Sequence, residues 1–195
     1  MHSHCEIKRV SAATTSRSTI GIITCLVLVA GASGIVDSSN QGANKKVSNS
    51  GAAQIAFELL KKLEGKWIGR STKGWEEKTS FKTIAGGSVV VEETPEANPD
   101  ESMMTMYHLD GDRLMLTHYC EAKNQPRLVA TSFADGGKTI TFTFLDGANI
   151  PTRDRGHMDK LVMHFMDDNH VTKQWTWYQD GGERWLEEIR LVRQP

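Results

Sequence analysis

The chain carries no excess of charge of either sign, and that absence removes one class of partner at once. Its formal net charge is -1 over 195 residues, whereas a nucleic-acid footprint shows as a clustered basic excess. No block of about five or six like charges occurs either, so an electrostatic tail is not expected. The common signatures of catalysis are also missing. There is no Gly-x-Ser-x-Gly elbow, no His-Glu-x-x-His pair, no phosphate-cradling glycine loop and no paired-cysteine zinc pattern. Cysteine itself is scarce. Of the three in the chain, Cys5 and Cys25 lie near the N-terminus and Cys120 stands apart from them.

Long apolar runs are nearly absent too. The one candidate, Ile20 to Ala30 (IGIITCLVLVA), follows positive charges at Lys8, Arg9 and Arg17 and has the length of a secretory h-region. Ala30-Gly31-Ala32 fits the small-x-small cleavage pattern, so residues 1–32 read as a signal peptide cut after Ala32. Stretched to Val36, the run only reaches the lower limit for a spanning helix. An N-terminal membrane anchor is therefore the alternative, and no stable membrane insertion is expected once the signal is cleaved. The expected location is exported, either periplasmic or extracellular. Cys5 and Cys25 leave with the signal, which makes Cys120 a lone thiol in an oxidising compartment. Such a thiol is buried and inert, used in function, or paired between chains, and the first is the commonest.

Residues 33–50 (SGIVDSSNQGANKKVSNS) are Ser, Asn and Gly with few apolar positions, the composition of a flexible linker. A single domain is expected over residues 51–195. A domain of about 150 residues buries roughly 68–70% of its unfolded surface, enough to fold without metal or disulfide staples. From Ala52 to Leu63, apolar residues Ala52, Ile55, Ala56, Leu59, Leu60 and Leu63 recur at helical spacing. Ser50 or Gly51 can cap the start and Gly65 the end. That apolar stripe needs something to pack on, and one end of the following domain is the obvious surface.

After Gly65 the helical period vanishes. Strand-like runs follow at Lys66–Ser71, Glu77–Ala85, Ser88–Glu93, Glu101–Leu109, Arg113–Cys120, Arg127–Ala134, Thr139–Leu145, His157–Phe165, His170–Tyr178 and Glu183–Arg193. The central pair, MMTMYHLDGDRLMLTHYC, reads as a hairpin about Asp110-Gly111, with a type I′ turn and Tyr107 opposite Leu114. One face then carries Met103, Thr105, Tyr107, Leu109, Leu114, Leu116, His118 and Cys120. Tight turns at Gly86-Gly87, Asp110-Gly111, Asp135–Gly137 and Asp167–Asn169 alternate with longer loops, so they gather at opposite ends of a meander. The expected fold is all-β: an antiparallel up-and-down barrel of about ten strands with one short N-terminal helix. Barrels of about that size hold one small ligand, reached past the long loops.

Leu63-Glu64-Gly65-Lys66-Trp67-Ile68-Gly69, a helix running into a strand with Gly-x-Trp-x-Gly, looks like the opening of calycin barrels. Those include the lipocalins, the fatty-acid-binding proteins and the nitrobindin-type haem barrels. The stretch from Phe57 to Val192 also resembles a group of exported bacterial lipocalin-like proteins carrying YHLDGDRLMLTHYC and NQPR segments. The resemblance implies a barrel and, by analogy, ligand binding. Haem barrels of the nitrobindin type use a histidine on a C-terminal strand, and Glu183–Arg193 contains none.

Strand direction brings several polar groups toward the long-loop rim. His118 and Cys120 end the fifth strand, Arg127 opens the sixth, His157 opens the eighth, and Tyr178 closes the ninth. Glu92-Glu93 end the third strand, and Glu93 is taken as the rim carboxylate. Gln174 is a polar orienting group if it faces inward and merely solvated if it faces outward. Each has a plainer reading as core filler, rim charge or loop anchor. Trp67, Trp175 and Trp177 fit core or pocket wall. Zinc or copper on His118, His157 and Cys120 or Glu93 is chemically conceivable, but no spacing demands it, and no cofactor is expected. The expected function is binding of a small, mostly apolar molecule, with His118, Arg127, His157 and Gln174 setting its orientation. The rivals are an enzyme with His157 or His118 as general base, and a filled barrel serving as an envelope interaction module.

Overall fold

The structure, a computed structural model, describes residues 49–96 and 102–195. The expected signal peptide, nearly all of the linker and the tip of the Thr94–Asp100 loop lie outside the described residues. Helix α1 spans Asn49–Lys61. It starts earlier than the apolar period suggests, and takes in the last two residues of the expected linker.

The strands are β1 (Gly65–Ser71), β2 (Glu76–Ile84), β3 (Val89–Glu96), β4 (Met103–Asp110), β5 (Arg113–Tyr119), β6 (Gln125–Ala134), β7 (Thr139–Ala148), β8 (His157–Asp167), β9 (His170–Gln179) and β10 (Gly182–Arg193). Each pairs antiparallel with its sequence neighbours, and β1 pairs with β10 to close the barrel. Closure gives every strand a neighbour on both sides, so no strand is left as a free edge.

The β4–β5 hairpin differs in register from the expectation. Tyr107 pairs with Leu116, Thr105 with His118 and Asp110 with Arg113. The two central turn residues are Gly111 and Asp112, not Asp110 and Gly111. Gly111 has φ of 62° while Asp112 has no positive φ, the pattern of a type II′ turn with glycine first. The slip is by two residues, and the side-chain period of a strand is also two. The expected inward face therefore survives intact: Tyr107, Leu114 and Leu116 are fully buried.

The barrel divides along its axis. At the tight-turn end, Trp67, Leu114, Leu128, Ile140, Phe142, Leu161 and Leu191 fill the interior. Helix α1 lies across that end, against β4, β5, β6 and the turn before β7. It buries Ala53, Ala56, Phe57 and Leu60 there, and each larger side chain so buried contributes about 1.5–3 kcal/mol. Ile55, counted in the apolar stripe, is instead exposed. Trp67 binds helix to barrel: its Nε1–H donates to the Leu63 carbonyl at 2.7 Å, and the Arg193 guanidinium covers its ring at 4.4 Å. The same guanidinium donates to the carbonyls of Glu64 and Lys62, each at 2.7 Å. Those carbonyls lie in the turn between α1 and β1, so the guanidinium ties the end of β10 to the exit from the helix.

Candidate ligand-binding cavity

The long-loop half of the barrel is not filled. It encloses a cavity of about 370 Å³. Its walls are aromatic and its floor is charged. Trp75 from the β1–β2 loop, Trp175 and Trp177 from β9, and Trp185 from β10 put four indoles in the wall. They come together because β9 and β10 pair Trp177 with Trp185 and Trp175 with Glu187. Trp177 and Trp185 stack nearly parallel, with centroids 5.8 Å apart.

At the floor sits Lys173, only 2% exposed. Its ammonium donates to Glu77 Oε1 at 2.8 Å and to Glu92 Oε1 at 2.5 Å. The Tyr107 hydroxyl donates to the other oxygen of Glu92 at 2.6 Å, and Thr79 donates to Glu77 at 2.9 Å. Burial pulls the Lys173 pKa down, but the two carboxylates outweigh it and hold the ammonium above its usual range. Burial, and then the Glu92 charge, push the Tyr107 phenol well up, so it remains a donor. Gly69 makes room for this cage. A Cβ there would lie 2.6 Å from the Glu77 side chain and 2.8 Å from Ile189, closer than real contacts allow, so the second glycine of Gly-x-Trp-x-Gly is a spacer for Glu77.

His118 stands beside the cage. Its ring lies 4.9 Å from that of Trp175, and its Nδ1 shares a hydrogen bond with the Thr105 hydroxyl at 2.9 Å. Its Nε2 is buried and has no partner. Burial, and then the Lys173 charge, lower its pKa to about 3, so the ring is neutral through the physiological range. The unfolded chain takes up the proton near pH 6.5 and the barrel refuses it until about pH 3. The barrel should therefore lose about 1.4 kcal/mol of stability for each unit by which pH falls through that window, an order-of-magnitude slope. Urea unfolding of the wild type and His118→Gln between pH 7 and pH 4 tests this. The expected result is a shallower pH dependence in the variant, and identical slopes would refute it.

The sequence candidates separate cleanly. His118 and Cys120 line the cavity, whereas Glu93, Arg127, His157, Gln174 and Tyr178 do not. Glu93 is exposed, and Glu92 beside it is the inward carboxylate. Arg127 is an exposed partner of Asp146, with Nε 2.5 Å from its carboxylate. Gln174 alternates with the inward Lys173 and Trp175 and donates to Glu188 at 2.8 Å. It belongs to the outer face.

His157 is fully buried but serves the β7–β8 loop. Its Nδ1–H donates to the Arg155 carbonyl at 2.5 Å, and Arg153 donates to its Nε2. Its ring packs on Phe144, with centroids 4.3 Å apart, and on Tyr178 at 5.7 Å. Tyr178 in turn lies under the Arg153 guanidinium at 3.8 Å. An imidazole already holding a cation on one nitrogen and donating from the other is not placed to act as a base or a metal ligand. Among the described residues, no group of three or more His, Cys, Asp or Glu side chains is placed to hold a metal ion.

The residues that sequence reasoning passed over are Lys173, Glu77, Glu92 and Glu187. Strand alternation carried a signal for two of them. Lys173 shares a face with Val171, Trp175 and Trp177, and Glu187 with Ile189 and Leu191. Fold and site together define a closed antiparallel β-barrel, sealed at one end by a helix and hollow at the other. No family model and no curated protein matches the chain.

Proposed function

We propose that the protein is an exported, calycin-like barrel that binds a small, mostly apolar molecule in its cavity. The observation that carries this reading is the unpartnered Nε2 of His118 in a tryptophan-walled chamber. A buried polar atom without a partner costs about 1–3 kcal/mol, and a ligand atom would remove that cost while the indoles cover an apolar body. The cavity volume falls within the range of small-molecule sites, about 300–1,000 Å³. Calycin kinship is supported by the closed meander and by the helix leading into Gly65-Lys66-Trp67-Ile68-Gly69. Export is supported by the apolar run Ile20–Ala30 and the Ala30-x-Ala32 pattern.

The rivals fit less well. A filled interaction module has no use for a chamber of about 370 Å³. A general base near neutral pH is not what a histidine held at about 3 provides. Titration with N-phenyl-1-naphthylamine, a neutral apolar fluorophore, tests the binding reading. Its emission should rise as it quenches the cavity tryptophans, and Met158→Trp, which fills the chamber, should weaken it roughly tenfold. Absence of binding, or equal binding in the variant, would overturn the reading.

A further inference from the structure

We propose that the cavity selects a small organic cation, a protonated amine on a flat apolar body, seated between the Trp177–Trp185 pair and the Glu187 carboxylate. The proposal rests on the cavity being a ligand site. Its first support is charge. Four carboxylates line the chamber, Glu77, Glu92, Glu121 and Glu187, against two ammonium groups, Lys73 and Lys173. Lys173 is already paired with two carboxylates, Glu77 and Glu92. The neighbouring imidazole of His118 stays neutral. An anionic ligand would meet buried carboxylates with no cation at the floor left to receive it.

The second support is an unspent acceptor. Glu187 is 6% exposed. One oxygen accepts from the Ser71 hydroxyl at 2.5 Å, and the other has no hydrogen-bond partner among the described residues. Burial pushes this carboxyl up, while Ser71 and then the nearby Lys73 charge pull it back. A cation beside it is thus what favours its ionised form. Its position is framed by indoles: Trp175 lies directly across on β9, and Trp185 shares its face two residues earlier on β10.

The third support is that the site already holds a cation of its own. Lys73, exposed on the β1–β2 loop, places its ammonium 3.6 Å from the Trp185 ring centroid. Indole faces attract cations more strongly than other aromatic rings do, and desolvation strengthens the attraction. A lysine on a solvent-facing loop can swing away at little cost. It occupies the place an ammonium ligand would take, and yields it.

The test is a calorimetric titration of the full chain with three phenyl probes of matched shape: 2-phenylethylamine, 2-phenylethanol and 3-phenylpropionate. The amine should bind roughly tenfold or more tightly than the alcohol, and the carboxylate most weakly of the three. Glu187→Gln should reduce amine affinity roughly tenfold and leave the alcohol unchanged. Lys73→Met, on an exposed loop where folding is not at stake, should raise amine affinity by removing the competing charge. Equal binding of amine and alcohol, preference for the carboxylate, or weaker amine binding in Lys73→Met would overturn the cation proposal while leaving the cavity reading standing. Failure of all three probes together with N-phenyl-1-naphthylamine would overturn both.

Discussion

Lys173→Met is expected to destabilise the barrel by about 3–5 kcal/mol, because it leaves Glu77 and Glu92 buried against each other with no countercharge. For a domain of this size the loss corresponds to a melting temperature lower by roughly 6–20 °C. The lysine itself is not what makes the cage favourable. Three charges taken out of water carry a large desolvation cost, and their mutual attraction about offsets it. Removing one partner exposes that cost. Combining Lys173→Met with Glu77→Gln and Glu92→Gln should therefore recover most of the loss, since the amides carry no charge to strand. Thermal and urea unfolding of the single and triple variants would decide the matter. A loss under about 1 kcal/mol in the single variant would show that the cage is not held as the structure has it.

Trp67→Ala should cost a comparable amount, about 3–5 kcal/mol, for a different reason. The indole is 1% exposed, sits edge-on to Phe81 with centroids 6.2 Å apart, and joins α1 to β1 and β10. Its loss opens a cavity at the closed end and leaves the Leu63 carbonyl without its donor. Because the ligand chamber lies at the other end, the folded fraction of Trp67→Ala should keep its affinity for N-phenyl-1-naphthylamine within about twofold. Loss of stability with retained binding is the expected pair of results. Loss of binding at unchanged stability would contradict the division of the barrel into a packed half and a hollow half.

The hairpin shows how a strand pattern can mislead on register and still succeed on faces. Asp110-Gly111 and Gly111-Asp112 both offer glycine to a two-residue turn, and local sequence does not choose between them. The choice shifts every partner by two positions yet leaves every inward residue inward. The β3 strand shows the reverse. Val89-Val90-Val91 is apolar at consecutive positions, so its alternation cannot be phased, and Glu93 was as plausible an inward carboxylate as Glu92. In the barrel, Val90, Glu92 and Thr94 are inward because β2 and β4 are paired on either side. His157 illustrates a third case. Strand direction correctly brings it near the rim, but only the β7–β8 loop, folded back with Arg153 and Arg155, turns it into an anchor.

Taken alone, the amino-acid sequence determined the all-β class, the ten strands, the alternation of tight turns with long loops, and the helix before the first strand. Those features depend on periodicity and turn chemistry, which are local and legible within a few residues. It also placed His118 and Cys120 on the inward face, since alternation from Leu114 and Leu116 reaches them without interruption. Only the tertiary structure decided which polar groups meet. Lys173 lies 96 residues from Glu77 and 81 from Glu92, and a buried lysine looks like an error until both partners stand beside it. The cavity was undecided for the same reason. Whether a barrel is filled or hollow depends on the side-chain volumes that ten strands together bring to each level, and no single strand records that sum.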